Sequence, residues 1–399
     1  MPKKISLGLI PRIIIAIIVG ILIGQLTFIP ASFIQVLVTL ADLFSSFLNF
    51  VIPLMIVALI TKGIADLTEG AGKLLGITFL TAYGSTLVAG LIAYVTATTT
   101  FPRFITPDLV ENVTSSGAGL TPYFSIPLDP ILSVTAALVF AFMTGLGISW
   151  LRARGSGEVM YGFFVEFEAI IMQVLSAIIV PFLPLYILSN FANMSYSGSV
   201  FTIISIFWRV FLIVIVLQLL YIALLFVLSG LYAGKNPMTL IKNQVAGYLT
   251  ALGTQSSAAT IPVNVEVAKK NGVSETIRNF VVPLGATIHL AGSMIAITST
   301  AIAVLLMYGL PVDFTSIAAF IAVLGIAMVA APGAPGGAIM SALPFLPMVG
   351  IATDVMQQLM ISLYITQDSF GTATNVSGDN AIAIFIDKLY RNRKNKEAE

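Results

Sequence analysis

Along the first 235 residues, long apolar runs alternate with short polar connections. The runs are Leu9–Ile29, Phe33–Ile64, Leu74–Thr98, Ile131–Leu151, Phe163–Leu188 and Val200–Leu231. About 20 consecutive apolar residues suffice to cross a bilayer as a helix, so the pattern predicts six membrane-spanning helices. The first run is longer than the apolar part of a signal peptide and lacks a small-residue cleavage pattern, so it reads as a retained span. The longest polar piece is the Gly/Ser/Thr-rich loop from Thr106 to Tyr123. Composition agrees with this reading. Of 399 residues, 58% are hydrophobic and only 9% charged, against about 25% charged in a soluble domain. The mean hydropathy is +1.01.

Basic residues set the orientation. Lys3, Lys4 and Arg12 precede span one, Lys62 and Lys73 separate spans two and three, and Arg152 and Arg154 follow span four. Lys235 and Lys242 follow span six, and Lys388, Arg391, Arg393, Lys394 and Lys396 end the chain. The intervening connections near Pro30, Ser195 and Val312 carry no basic residue, and the long loop carries only Arg103. Both termini are therefore expected on the cytoplasmic side of a multi-pass protein of the cell's inner, cytoplasmic membrane.

After Lys235 the apolar runs shorten and are broken by Ser, Gly and Pro. Lys242 and the cluster Lys269, Lys270 and Arg278 belong on one side, so Asn243–Ala268 must cross an even number of times. It is too short to cross twice, and GTQSSAAT (Gly253–Thr260) interrupts it. A re-entrant hairpin fits, since irregular backbone at membrane depth is tolerated where it faces protein or a cavity. Phe314–Met348 repeats the pattern from the opposite side around AAPGAPGG (Ala330–Gly337). Each hairpin precedes an apolar helix with a polar interruption: PLGATIHLAGS (Pro283–Ser293) after the first, TQDSFGTATNVSGD (Thr366–Asp379) after the second. Two such units of opposite orientation form an inverted repeat, which places substrate and coupling ions at the repeat interface near the midplane. The expected fold is an all-α polytopic membrane protein with eight transmembrane helices plus two re-entrant helical hairpins.

The chemistry concentrates in the last polar run. Asp368, Thr372, Asn375 and Asp379 fall at i, i+4, i+7 and i+11, on one stripe of a helix. An ionisable group at membrane depth marks a functional site by default; a polar network that only glues helices is the alternative reading. Asp379 and Asn375 suit a hard cation, which prefers carboxylate and carbonyl oxygens. Asp368 is left to hold a substrate ammonium. At the first tip, N-termini of half-helices with the hydroxyls of Ser256, Ser257 and Thr260 suit a carboxylate. At the second, Gly333, Gly336 and Gly337 with Pro332 and Pro335 free carbonyls for Na⁺ and can hinge a gate. An α-amino acid is matched at both poles. With no cysteine and one histidine, thiolate and multi-histidine zinc sites are excluded. A net charge of +1 gives no support for nucleic-acid binding, and no nucleotide loop or hydrolase motif indicates an enzyme. A channel role finds no ring-forming filter sequence.

The ordered motifs SSAATIP, PLGATIHLAGS, APGAPGGAIM and QDSFGTATNVSGD resemble those of the dicarboxylate/amino acid:cation symporter family, which includes the glutamate transporters. Within it the bacterial sodium/serine-threonine symporters are most similar. The resemblance implies a homotrimer working by an elevator mechanism, with no cofactor and Na⁺ as coupling ion. It implies scaffold helices one and two in 1–71, helix three of a transport domain in 72–100, and scaffold helices four and five with the external loop in 101–196. The rest of the transport domain would occupy 197–399: helix six, hairpin one (about 238–270), helix seven (about 275–309), hairpin two (about 313–349) and helix eight (about 352–390). Carried over by position, Ser256, Ser257, Thr287, Gly333, Asp368, Gly371, Thr372 and Asn375 line the substrate site. Gly285, His289, Asn375 and Asp379 form one Na⁺ site, the first three by backbone carbonyl. Thr287 with carbonyls near Ala330, Ala331 and Gly333 forms another.

Two departures change the expected substrate and the expected sodium stoichiometry. Gly371 stands where the glutamate transporters have the arginine that binds a side-chain carboxylate. This implies a neutral amino acid of the serine, threonine or alanine type. HLAGS replaces their NMDGT, putting Ala291 where a cation-binding aspartate would be and predicting fewer coupled sodium ions, with two expected. A dicarboxylate or cystine substrate, or proton coupling through His289, is the alternative. Asp42, Glu166 and Glu168 read as interfacial or trimer-contact residues, and Arg209 needs an acidic partner or a lipid headgroup.

Overall fold

A computed structural model of the chain describes residues 9–65, 72–106, 119–132, 134–198, 200–328, 331 and 336–398. These residues form helices and connections only. The six early apolar runs become α1 (Leu9–Gln25), α2 (Ala31–Ala65), α3 (Gly72–Thr100), α4 (Val134–Arg152), the pair α5 (Glu158–Val174) and α6 (Val180–Tyr196), and α7 (Val200–Ala233). A π-helical turn, Leu175–Ile179, joins α5 to α6 and leads directly into Pro181, with Pro184 following. Proline removes an intrahelical donor and crowds the preceding turn, so a locally widened helix there is expected. Four helical stretches among the described residues are long and apolar enough to cross a membrane: Leu74–Arg103, Glu158–Ile179, Ile203–Ala233 and Glu275–Met307. Parts of the others, such as Ala31–Phe47, are apolar but shorter.

The C-terminal half opens with two helices joined by two residues, α8 (Pro237–Thr254) and α9 (Ser257–Lys270). They pack side by side. Gln255 takes the left-handed conformation (φ 53°), and Ser256 caps α9 by accepting from the Ala259 N–H at 3.2 Å. A non-glycine residue at positive φ is uncommon and marks a tight, over-determined turn. The base of this hairpin closes on itself. Lys235 Nζ donates to the carbonyls of Asn271 and Gly272, and Asn243 Nδ2 donates to Asn271 Oδ1 at 2.8 Å. Lys242 and Lys269 thus belong to the same end, as the charge pattern predicts. Burial lowers the Lys235 ammonium from its ordinary value, with Asp387 opposing the shift. At the tip α8 arrives with its C-terminus and only α9 presents an N-terminus, which corrects the expectation that both half-helices point N-termini there.

The next helix is broken. α10 (Glu275–Ile288) ends at His289, which is extended (φ −112°, ψ 98°), and α11 (Ala291–Met307) begins after Leu290. A second hairpin follows: α12 (Phe314–Ala327) begins at Asp313, whose carboxylate accepts from the Ser316 N–H at 2.8 Å. Those bonds hold the Asp313 carboxyl below its usual range. The return limb is α13 (Gly337–Ala342), continued by the 3₁₀ segment Leu343–Val349. Of its tip, Ala330, Pro332, Gly333 and Pro335 lie outside the described residues. The last element, α14 (Asp354–Ala398), is a single helix of 45 residues. Here the sequence expectation of two interrupted helices is half met: α10/α11 is broken, whereas the polar run in α14 stays helical throughout.

Two packing groups result. α1 lies along α6, and α2 packs on α4, α5 and α6; Lys62 and Glu168 pair at 3.8 Å between α2 and α5. In the other group, both limbs of the first hairpin rest on α14, and α11 is wedged between α3, α7 and α14. α12 packs on α3, and α13 touches α11, α14 and α2. Every described residue of α11 except Leu306 is buried, Ser293, Thr298, Ser299 and Thr300 among them. This buried polar helix beside α14 carries the site.

Candidate functional site

The centre of the site is where the break between α10 and α11 meets the polar stripe of α14. Asp368, Thr372, Asn375 and Asp379 are all buried and, as the spacing predicts, share one face. At a rise of about 1.5 Å per residue, the two carboxylates sit about 16 Å apart along the axis.

Asp379 and His289 meet at one end. Nδ1 of His289 lies 3.1 Å from Asp379 Oδ1 and 3.3 Å from the Asn375 carbonyl. Both neighbours are acceptors, so the ring proton belongs on Nδ1. On the neutral ring Nε2 then accepts from Ser85 of α3, whose Oγ is 3.0 Å away. Tyr221 of α7 completes the chain by donating to the Ser85 carbonyl at 2.6 Å. The imidazole thus covers one carboxylate oxygen. The other, Oδ2, is buried with no hydrogen-bond partner among the described residues. A buried bare carboxylate oxygen is costly unless a cation or donor completes it. Gly285 comes so near that a Cβ would lie 2.8 Å from Asp379 Oδ1. Carboxylate, backbone carbonyls and an uncovered oxygen make a donor set that suits a hard monovalent cation.

Asn375 organises the helix break. Its Oδ1 accepts from the N–H groups of Gly292 (2.8 Å) and Ser293 (3.3 Å) at the start of α11, and its Nδ2 donates to Ser293 Oγ at 3.0 Å. The first-turn N–H groups of a helix have no intrahelical partner; the Asn375 side chain supplies one. That contact requires glycine at 292, because a Cβ there would lie 2.4 Å from the Gly371 carbonyl oxygen and 2.5 Å from Thr374 Cβ.

Asp368 stands at the other end. Its Oδ2 accepts from the N–H of Gly336, the left-handed residue (φ 76°) that starts the return limb of the second hairpin. The second hairpin tip is therefore tied to the stripe. Ala331 is buried, and its N–H donates to the Met328 carbonyl at 2.9 Å.

Thr287 is exposed, and its hydroxyl donates to the Leu284 carbonyl of its own helix at 2.8 Å. Ser257 is buried, while Ser256 serves as helix cap. Ala330 and Gly333 lie outside the described residues. The sequence reading missed the His289 side chain as a neighbour of Asp379, having assigned only its carbonyl. It also missed Ser85, Tyr221, Ser293 and Tyr364, and a second network of amides. In that network Asn380 Nδ2 donates to Gln244 Oε1 (2.6 Å) and Asn264 Oδ1 (2.7 Å), and Asn264 Nδ2 to the Val376 carbonyl (2.8 Å). It fastens the first hairpin to α14. Arg209 has no acidic partner among the described residues; its guanidinium stands 5.6 Å from the Trp208 ring and 5.8 Å from that of Phe104.

Gly378 offers a direct check of the His289 geometry. A Cβ there would fall 2.2 Å from His289 Cε1, and the ring is held at both nitrogens. Gly378→Ala should therefore destabilise the protein by about 1–3 kcal/mol, the usual cost of overpacking. Adding His289→Ala should recover much of the loss in thermal melts, since the two residues share one space. Additive losses would refute the contact.

The sequence pattern of the sodium:dicarboxylate symporter family matches residues 9–389. Curated relatives include proteins named serine/threonine transporter SstT from Acinetobacter baumannii strains AYE, AB307-0294 and AB0057, each 27% identical over 98% of this chain and 98% of the relative. A buried carboxylate oxygen with no hydrogen-bond partner among the described residues, on a helix tied to two helical hairpins, accords with that match, and the chain belongs to the sodium:dicarboxylate symporter family, as a sodium-coupled multi-pass membrane transporter and not an enzyme.

Proposed function

We propose that the protein imports a neutral amino acid of the serine, threonine or alanine type together with sodium. Asp368 binds the ammonium group, and the α9 N-terminus at Ser257 faces the carboxylate with Asn375. One Na⁺ sits at Asp379 Oδ2, completed by carbonyls of the Gly285–His289 turn and of Asn375; a second is assigned to carbonyls around Ala331. The observation that carries this reading is the pairing of two buried carboxylates with different surroundings. Asp379 has a buried oxygen with no partner among the described residues, and the His289 ring that meets its other oxygen also meets the Asn375 carbonyl, whereas Asp368 accepts an N–H from a hairpin tip. The first suits a bare ion, the second an ammonium that a moving tip encloses. The relatives' printed name supports serine or threonine as substrate.

In this reading both hairpins are re-entrant, eight helices span the inner membrane with both termini cytoplasmic, and the second hairpin is the outer gate. α3 and α7–α14 move as a transport domain against a scaffold of α1, α2 and α4–α6, within a homotrimer. The two packing groups support this division.

Proteoliposomes should take up serine, threonine or alanine under an inward Na⁺ gradient and stop when it is collapsed. A proton gradient alone should not replace it, and aspartate and glutamate should not be taken up. Asp368→Asn should abolish this uptake while leaving the thermal melt within a few degrees of wild type. Gradient-independent flux, or serine uptake surviving Asp368→Asn, would refute the assignment.

A further inference from the structure

Beside Asp368, on the side away from Asp379 along α14, lies Tyr364, a residue that neither substrate nor cation is expected to touch. It is fully buried and sits one turn before Asp368 on α14. Its hydroxyl oxygen lies 3.0 Å from Ser293 Oγ, and the same hydroxyl is a side-chain hydrogen-bond partner of Asp368. Ser293 Oγ also accepts from Asn375 Nδ2 at 3.0 Å, while Asn375 Oδ1 holds the N–H groups of Gly292 and Ser293. A continuous polar chain thus runs from Asp368 through Tyr364 and Ser293 to Asn375 and the break that ends at His289, beside Asp379.

A phenol has one proton. Ser293 Oγ and the Asp368 carboxylate are both acceptors for it, and only one can have it fully. With Asp368 bare, the carboxylate draws that proton, because hydrogen bonds to an ionised acceptor are roughly twice as strong as neutral ones. With an ammonium on Asp368, the demand is met and the proton goes to Ser293. There it fixes the Ser293–Asn375 pair and the turn whose carbonyls would surround a cation. We propose that Tyr364 is a positioning residue that couples amino-acid occupancy at Asp368 to sodium occupancy at Asp379, by one hydroxyl proton contested between Asp368 and Ser293. The inference rests on the functional reading above. Coupling is reciprocal: whatever sodium does for serine affinity, serine does for sodium affinity.

The test measures serine affinity of the purified full-length protein at low and at saturating NaCl, with choline chloride keeping ionic strength constant. The wild-type ratio of the two affinities is the coupling factor. In Tyr364→Phe, which keeps the ring and removes the proton, that factor should fall at least tenfold while the thermal melt changes little. Ser293→Ala, a smaller change that cuts the next link, should lower it similarly and decides the matter if Tyr364→Phe does not fold. Coupling factors within twofold of wild type in the folded variants would overturn the proposal while leaving the function intact. A wild type whose serine affinity ignores sodium would overturn the functional reading and this inference with it.

Discussion

Asp379→Asn is expected to leave a folded transporter that no longer responds to sodium. The substitution preserves shape and can still accept a hydrogen bond from His289, so packing at the break between α10 and α11 is retained. What it removes is the negative charge next to an uncovered oxygen. Sodium at about 100 times its Kd stabilises a protein by about 2.7 kcal/mol when it binds only the folded state. That increment, read as a sodium-dependent rise in melting temperature, should vanish in Asp379→Asn, and gradient-driven uptake should fall at least a hundredfold. Asp379→Ala should do worse: Nδ1 of His289 keeps only the 3.3 Å contact to the Asn375 carbonyl. A buried donor deprived of its acceptor costs about 1–3 kcal/mol. An Asp379→Asn protein whose melt still climbs with NaCl would rule out the carboxylate as the ion's ligand.

Much of this site was legible because helical geometry is local. Four polar residues at i, i+4, i+7 and i+11 must share a face wherever the helix goes, and α14 places them so. The hairpins were legible for a different reason. Ser, Gly and Pro clusters inside short apolar runs cannot continue a helix, and the lysines fix which ends lie together. The closure of Lys235 on Asn271 and Gly272 realises that argument atom by atom. In the same run of α14, however, the polar residues do not interrupt the helix as their pattern predicts. Thr374 and Ser377 turn their hydroxyls back to the Phe370 and Ala373 carbonyls, so the polar character is absorbed within the helix itself.

The unpredicted residues share a physical signature: their partners are far away in sequence. Ser85 and His289 are 204 positions apart, and Asn264 and Asn380 are 116 apart. Neither pair leaves a periodicity to read. Tyr364 is one of many buried aromatic residues, and only its hydroxyl, 3.0 Å from Ser293 Oγ, distinguishes it. Thr287 shows the opposite failure: the family resemblance made it a ligand by position, but its side chain is exposed and its hydroxyl returns to the Leu284 carbonyl. The amide group of Gln244, Asn264 and Asn380 is the polar glue that the stripe itself could have been. It lies on another face of α14, so adhesion and chemistry are separated around one helix.

The same helix tests specificity at Gly371. Gly292 and Gly378 cannot accept a side chain, but a Cβ at 371 would meet its nearest neighbours, the Gly292 carbonyl and Ser293 N, at 3.6 Å, an ordinary contact. The position is one turn from both Asp368 and Asn375, so a side chain there enters the proposed substrate space. Gly371→Ala should therefore fold and lower serine affinity only by filling volume. Gly371→Arg should do something qualitatively different. Without an anionic ligand its guanidinium has Asp368 as nearest counter-charge, and forming that pair takes the carboxylate away from the substrate ammonium. An acidic amino acid supplies a second carboxylate and releases Asp368. Leaving a buried charge unpaired costs about 3–5 kcal/mol, enough to shift relative affinities by more than a hundredfold. The variant should lose sodium-driven serine uptake and gain uptake of aspartate or glutamate, measured side by side in the same proteoliposomes. Serine uptake unchanged in a folded Gly371→Arg protein would place the substrate away from this stripe, and with it the role given to Asp368.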